Sequence, residues 1–200
     1  MDDHSVITYS VDRGDRLVSF NDEWRDFAQA NEGIALDPSR IRGHVLWDFL
    51  DPTTAQLYRS MLVRLREGGR PIRFSFRCDT PDRRRLLAME MTAETNSDVR
   101  FVVTPVAEEI RVAVPLLEST RPHADAFVTI CAWCKRVQLP SDEWCEVEEA
   151  VAALELFKRE TLPQLTHGVC STCTDAILEL IDDPDLGAGG TVAFGALPLR

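Results

Sequence analysis

The chain has 200 residues, with 33 acidic and 22 basic side chains and a net charge of −11. The excess is concentrated in residues 107–200, which hold 16 acidic and 7 basic side chains, and an acidic surface repels phosphate backbones, which disfavours nucleic-acid binding. No apolar run approaches the ~20 residues that a membrane span needs, and the first residues are acidic, unlike those of a secretory signal. We therefore expect a cytoplasmic protein with no membrane partner.

The first half of the chain predicts a mixed order of strands and helices. Alternating or continuous apolar residues predict five strands, at residues 6–12, 16–20, 72–79, 87–91 and 99–103. Asn21 is predicted to cap a first helix, and Asp51 and Pro52 to begin a longer one. In the third strand the alternation places Arg77 on the polar face. Two strands, helices and then three strands indicate an α+β fold, an antiparallel sheet with helices on one face.

This order of elements resembles the PAS sensor domain over residues 5–106, with Asn21, Trp24, Trp47 and Asp48 at familiar positions. The resemblance implies a five-stranded antiparallel sheet with helices on one face. It also implies a small cavity under the helices, and it leaves any ligand of that cavity unknown. Because PAS-like domains often pair through their sheets or flanking helices, the resemblance further implies a homodimer.

The second half contains two Cys-x-x-Cys pairs, Cys131 with Cys134 and Cys170 with Cys173, separated by 35 residues. Each pair brings two thiolates within reach of one ion, and together they supply the four ligands of a closed tetrahedral site. In a reducing cytoplasm, paired cysteines favour metal or redox chemistry over structural disulfides. Zinc is the preferred metal, and an iron–sulfur cluster is the alternative, because the same four thiolates suit both.

The neighbouring residues predict how this site is built. The first pair lies in a tight turn between two predicted strands, and the second immediately precedes a predicted helix, whose N-terminus stabilises thiolates. Lys135 and Arg136 are predicted to lie near the metal and to offset the thiolate charge. His167 is predicted to lie near the metal as well, without binding it, since four cysteines already complete the site.

A cysteine turn followed by two ligands at a helix start is the arrangement of a treble-clef zinc site. Residues 127–175 resemble a cysteine module found at the C-terminal end of bacterial signalling proteins, often after PAS or receiver domains. The resemblance rests on residues 130–137, Trp144, residues 146–149 and residues 166–173. It implies a small treble-clef-like zinc module.

These observations predict the domain organisation and the function together. Residues 1–106 are predicted to form a PAS-like sensor domain, 107–125 a connector, 126–182 the four-cysteine metal-binding module and 183–200 a flexible tail. Because no catalytic motif is recognised, we expect a non-catalytic signalling or regulatory protein. Its expected partner is a protein, either another signalling protein or a second copy. The alternative is a redox or oxygen sensor that uses the cysteines as a zinc redox switch or an iron–sulfur site.

Overall fold

The computed structural model describes residues 6–30, 34–68, 70–118, 123–159, 161–183 and 191–194. The strands in these residues are β1 (Ile7–Val11), β2 (Leu17–Phe20), β3 (Ile72–Arg77), β4 (Arg83–Ala93), β5 (Val99–Ile110), β6 (His123–Cys131), β7 (Val137–Gln138), β8 (Trp144–Cys145), β9 (Leu162–Gly168) and β10 (Val192–Ala193). The α-helices are α1 (Asp22–Ala30), α2 (Pro38–Ile41), α3 (Pro52–Gly68), α4 (Val147–Ala153) and α5 (Ser171–Asp182). Short 3-10 helices cover Ile34–Leu36, Leu46–Phe49, Pro115–Leu117 and Leu156–Lys158.

Six strands form one sheet in the order β10-β3-β4-β5-β1-β2. The five strands predicted from the first half of the sequence are its antiparallel members, β1 to β5. The strand β10 adds a sixth, parallel strand beside β3. Tyr9 and Phe101 lie opposite each other on β1 and β5, and their rings stack with centroids 4.5 Å apart. The protein is thus an α+β protein, and this sheet has one strand more than predicted.

The helices α1 and α3 pack against this sheet. Asn21 begins α1, as predicted: its side-chain oxygen accepts hydrogen bonds from the backbone N–H groups of Trp24 (3.2 Å) and Thr8 (2.9 Å), which ties the helix to β1. Asp51 begins α3 by accepting from the backbone N–H of Thr54 at 3.0 Å. The apolar stripe predicted for α3 is buried at Leu57, Met61, Leu62 and Leu65.

The tail that was predicted to be flexible, residues 183–200, contains a strand. In β10, Val192 lies opposite Phe74 of β3, and the following Phe194 is 2% exposed. The prediction relied on the small residues at 187–190, which lie outside the described residues. The apolar residues after them are too few to indicate a strand by themselves. Val192 and Ala193 form one because they pair with the edge of β3.

Four strands form a second sheet in the order β8-β7-β6-β9, in which β6 and β9 run parallel. Much of the predicted connector, residues 107–125, belongs to regular structure. The strand β5 continues to Ile110 because it pairs with β4, where Arg84 lies opposite Glu109 and unlike charges face each other. The 3-10 turn after it buries Leu116, and β6 begins before the predicted connector ends.

One hydrophobic core extends from the first sheet into the cysteine region. It contains the four cysteines of the Cys-x-x-Cys pairs together with Phe74 of β3, Met61 of α3 and Ile177 of α5. A second cluster surrounds α4 and consists of Val114, Leu116, Ile130, Val137, Val147, Ala150, Leu156 and Leu162. The cysteine region therefore packs directly onto the first sheet and its long helix.

Candidate metal centre

The four predicted ligands converge at one point. Cys131, Cys134, Cys170 and Cys173 are all buried, with exposed fractions between 0% and 3%. Their sulfurs lie within 4.8 Å of one another, and the Sγ atoms of Cys134 and Cys170 are 3.7 Å apart. All four are free thiols rather than disulfides, whose sulfurs are bonded at about 2.05 Å. The two pairs thus form one four-sulfur group that can hold a metal ion.

The spacing of the sulfurs fits a single tetrahedral ion. Zinc–thiolate bonds of about 2.3 Å place two ligand sulfurs of a tetrahedron about 3.8 Å apart. This spacing is close to the 3.7 Å between the Sγ atoms of Cys134 and Cys170. An iron–sulfur cluster places several iron and sulfide atoms between its cysteines, so its thiolates lie farther apart. The dimensions of the four-sulfur group therefore favour one ion over a cluster.

The first cysteine pair lies in the turn that joins β6 to β7. Cys131 is the last residue of β6, and its carbonyl accepts a hydrogen bond from the backbone N–H of Lys135 at 3.1 Å. The backbone N–H of Cys131 donates to the carbonyl of Arg136 at 2.7 Å. Lys135 has a φ of 60°, in the left-handed region, which reverses the chain within the turn. These constraints hold the sulfurs of Cys131 and Cys134 on one side of the turn.

The parallel pairing of β6 and β9 brings the second pair to the first. Gly168 at the end of β9 lies opposite Cys131, and a Cβ at Gly168 would be only 3.0 Å from the side-chain methyl of Thr129. Cys170 directly precedes α5, and its backbone N–H lies 3.5 Å from the sulfur of Cys131, to which it donates. Cys173 lies in the first turn of α5. A helix N-terminus thus faces the four-sulfur group, which favours thiolates.

Hydrogen bonds among the thiols separate their pKa values. The pKa of Cys131 lies well below the ordinary thiol value because hydrogen bonds from Cys134, Cys170 and Cys173 stabilise its thiolate. The pKa of Cys173 lies well above that value, because its hydrogen bonds with Cys131 and the other two cysteines favour its protonated form. Metal binding needs deprotonated thiols, so it releases protons and weakens as the pH falls.

The three residues predicted to lie near the metal take different positions. The Nζ of Lys135 donates to the carbonyl of Ala132 at 2.9 Å, within the cysteine turn. The Nε of Arg136 lies 3.9 Å from a carboxylate oxygen of Glu146. His167 lies on β9, where burial and the charge of Lys135 lower its pKa. Among the described residues, the group of side chains that could hold a metal ion consists of the four cysteines. The influence of these three residues on a metal stays a prediction.

Trp133, between the two ligands of the first pair, joins the cysteine turn to the first sheet. Its ring is 2% exposed and stacks on Tyr58 of α3, with centroids 5.4 Å apart and an interplanar angle of 17°. It also lies 6.5 Å from the ring of Phe74 on β3. The carbonyl of Trp133 accepts a hydrogen bond from the backbone N–H of Arg77, at the end of β3, at 2.8 Å. A displacement of the cysteine turn would therefore disturb both α3 and β3.

The helix α5 makes a second connection to α3. The guanidinium of Arg64 donates to the backbone carbonyls of Leu180 and of Asp183, the latter at 3.0 Å, at the end of α5. A groove of about 760 Å³ lies beside this contact. Its lining is Gln56, Arg59, Ser60, Val63, Arg64, Glu67, Gly68, Arg70 and Ile181. This lining includes no residue of the described strands, so the groove differs from the predicted cavity between helices and sheet.

A buried ion-pair network, which the sequence pattern does not predict, lies between β3 and α4. Arg77 is fully buried, although the alternation along β3 places it on the polar face. Its guanidinium binds the carboxylates of Asp79 and of Glu146, the latter at 2.7 Å. Arg111 lies 3.3 Å from Asp79 and 3.1 Å from Glu148. The acidic start of α4 thus contacts the end of β3 at Arg77.

The charges in this network keep one another ionised. Burial alone would lower the pKa of Arg77, but the hydrogen bonds and charges of Asp79 and Glu146 raise it above its usual value. Burial likewise favours neutral Glu148, but a backbone hydrogen bond and the charge of Arg111 bring its pKa below the ordinary value. A buried network of this kind is stable only while each charge keeps its partners. The acidic residues at 146–149 are visible in the sequence, but no local pattern indicates that they lie beside β3.

No family model matches this chain, and no curated protein does. In the described ranges, no helix is long and apolar enough to cross a membrane. The four-sulfur group and its contacts with the first sheet are the features that bear on function.

Proposed function

We propose that this protein is a non-catalytic signalling or regulatory protein in which a structural zinc site holds the C-terminal half against a PAS-like sensor sheet. One observation carries the proposal: four buried thiols, spaced for one ion, lie in the same hydrophobic core as the first sheet. Residues from β6, β9 and α5 meet at these thiols. Metal affinity there contributes to the free energy of folding, as it does in other structural zinc sites.

The donor set supports a structural rather than a catalytic zinc. Cys131, Cys134, Cys170 and Cys173 would hold the ion, and four protein ligands leave no open position for water or substrate. When bound, zinc supplies a redox-inert cross-link. Four thiolates around a divalent ion carry a net charge of about −2, and Lys135 lies within the turn that holds the first pair.

The sensor role is supported by the arrangement of the first half. The strands β1 to β5 are antiparallel, and α1 to α3 lie between β2 and β3 in the chain, as in the PAS-like order of elements. The contact of Trp133 with Tyr58 and Phe74 offers a physical route between this sheet and the cysteine turn. A ligand or partner that shifts α3 or β3 would change the packing of the C-terminal half. The acidic charge of residues 107–200 favours a protein partner over a nucleic acid.

Burial of the four thiols weighs against the redox-sensor alternative. Redox-sensing cysteines are accessible to solvent and hence to an oxidant. Here the exposed fractions of the four ligand cysteines do not exceed 3%. Zinc release by mild peroxide, or iron with visible absorption, would nevertheless favour the sensor over the structural site.

Metal content and stability, measured on matched cysteine variants, test the proposal. The full chain is purified without added metal, and zinc and iron are quantified together with a visible spectrum. Cys134→Ser removes one ligand, whereas Cys145→Ser removes a partly exposed thiol whose sulfur lies 3.9 Å from the carbonyl of Val137. We expect one zinc per chain and no colour in the native protein and in Cys145→Ser, and a loss of zinc and of stability in Cys134→Ser.

Two results would contradict this proposal. If Cys134→Ser keeps both its zinc and its unfolding midpoint, the four-sulfur group is not a structural metal site. If the native protein contains iron and absorbs visible light, the iron–sulfur sensor replaces the zinc site as the better explanation.

A further inference from the structure

Two separate segments cover the edge of β3. The tail strand β10 lies parallel to it, and the backbone N–H of Phe194, just after β10, donates to the carbonyl of Ser75 at 3.1 Å. Two residues further along β3, the N–H of Arg77 donates to the carbonyl of Trp133 at 2.8 Å. An uncovered edge strand is a template for another extended chain. Here the tail strand β10 pairs with this edge, where another extended chain could otherwise bind.

An aromatic pocket beside the edge receives the side chain of Phe194. The Phe194 ring is 2% exposed, with its centroid 5.8 Å from that of Phe74 and 6.4 Å from that of Trp133. The Phe74 and Phe194 rings meet at 68°, an edge-to-face arrangement that aromatic pairs favour, and the Trp133 and Phe194 rings are tilted at 57°. Tyr58 stacks on Trp133 and contacts Phe74 edge-on, so it supports both of these rings. The pocket therefore recognises an aromatic side chain presented next to a main-chain hydrogen bond.

The described part of the tail holds to β3 through a short strand and one buried aromatic side chain. Among the described tail residues 191–194, Val192 and Ala193 pair with β3, Val192 packs against the core in part, and Phe194 is the fully buried side chain. Thr191 and Ala193 are exposed. A segment held by one anchor and a two-residue strand competes mainly through its covalent attachment, which raises its effective concentration at the site. Another chain with the same pattern can then take its place.

We propose that the edge of β3 and the aromatic pocket form a peptide-docking site, which the tail occupies within the chain. The ligand class is an extended protein segment in which a β-branched residue, a small residue and an aromatic residue follow one another, as in Val192, Ala193 and Phe194. Binding occurs by strand addition, in which main-chain hydrogen bonds supply affinity and the aromatic pocket supplies specificity.

A labelled peptide tests this site on the full chain. The probe is a fluorescein-labelled peptide with the sequence of residues 190–196, Gly-Thr-Val-Ala-Phe-Gly-Ala. Its counterpart has alanine in place of phenylalanine. Fluorescence anisotropy is measured with the native chain and with Phe194→Ala, which weakens the competing tail. We expect Phe194→Ala to bind the phenylalanine peptide at least about tenfold more tightly than the alanine peptide, and more tightly than the native chain does.

Control variants separate a docking site from a general loss of structure. Phe157→Ala removes an aromatic side chain that is 68% exposed, and it should bind the peptide as the native chain does. If Phe194→Ala lowers the metal content or the helical circular dichroism, Phe194→Leu replaces it, because leucine keeps an apolar side chain but loses the ring contacts with Phe74 and Trp133 that hold the tail. Equal affinity of the folded variant for the phenylalanine and alanine peptides would overturn the proposal.

Discussion

Replacement of Arg77 by methionine should strongly destabilise the protein. The Arg77 guanidinium is fully buried and binds both Asp79, itself 1% exposed, and Glu146. Methionine fills much of the same volume but carries no charge. Asp79 would keep only Arg111, at 3.3 Å, as a partner among these residues, and Glu146 would lose its contact with β3.

The expected loss follows from the burial of the pair. Removing one partner of a buried ion pair costs about 3–5 kcal/mol, because the other charge stays buried without compensation. Arg111 still compensates Asp79 in part, so we expect a loss of about 3 kcal/mol in the free energy of unfolding. With a urea dependence of roughly 1–3 kcal/mol per M, this loss lowers the unfolding midpoint by about 1 M or more.

Urea unfolding followed by circular dichroism measures this loss, with a control on the same strand. Arg73 also pairs with a carboxylate, Glu90, at 2.6 Å, but both side chains are more than a third exposed. Arg73→Met should therefore cost no more than about 1 kcal/mol. The double variant Arg77→Met with Asp79→Leu should recover part of the loss, because it leaves one buried charge fewer. If Arg77→Met destabilised the protein no more than Arg73→Met, the buried network would not connect the two halves as described.

Three further predictions concern pH, the core and the cysteine turn. Because the folded-state pKa of Glu148 lies below its ordinary 4.5, its carboxylate stabilises the fold above that pH, and the stabilisation is lost as the pH falls through the folded pKa. The pH dependence of stability should thus be weaker in Glu148→Gln than in the native chain between pH 5 and about 3. Trp133→Ala should cost about 3–5 kcal/mol in urea unfolding, whereas Phe157→Ala should change stability by less than about 0.5 kcal/mol; similar losses would contradict the central position of Trp133. Gly168→Ala should cost about 1–3 kcal/mol, and adding Thr129→Ser, which removes the methyl 3.0 Å away, should restore stability. No restoration would show that this contact is not the cause.

Local patterns were sufficient for most elements of the first half. The stripe on α3 and the alternation along β3 to β5 repeat over several turns or residue pairs, so their periodicity survives in the structure. The helix cap at Asn21 was equally predictable from the sequence, because it depends on one side chain and the backbone N–H groups close to it. Local patterns were not sufficient where a distant segment decided the outcome: Arg77 is buried and binds Glu146 at the start of α4, and Val192 and Ala193 form a strand on the edge of β3.

The four cysteines were identifiable from the sequence because ligand type and the spacing within each pair are local properties. The two pairs meet because β6 and β9 pair in parallel, which brings together cysteines that are separated by 35 residues in the chain. The neighbouring charges were harder to place, since a long side chain such as that of Arg136 reaches whichever carboxylate the fold brings near it.

The sequence by itself determined the α+β composition, the long amphipathic helix and the chemistry of the four thiols. Only the tertiary structure decided that the cysteine region packs against the first sheet and its long helix. Two contacts make this connection: Trp133 stacks on Tyr58, and Arg77 binds Glu146 at the start of α4. The physical reason is that periodicity and spacing report which face of an element is buried or which atoms can bind an ion. Which other element covers that face depends on contacts between residues far apart in the chain, and these leave no periodic trace in the sequence.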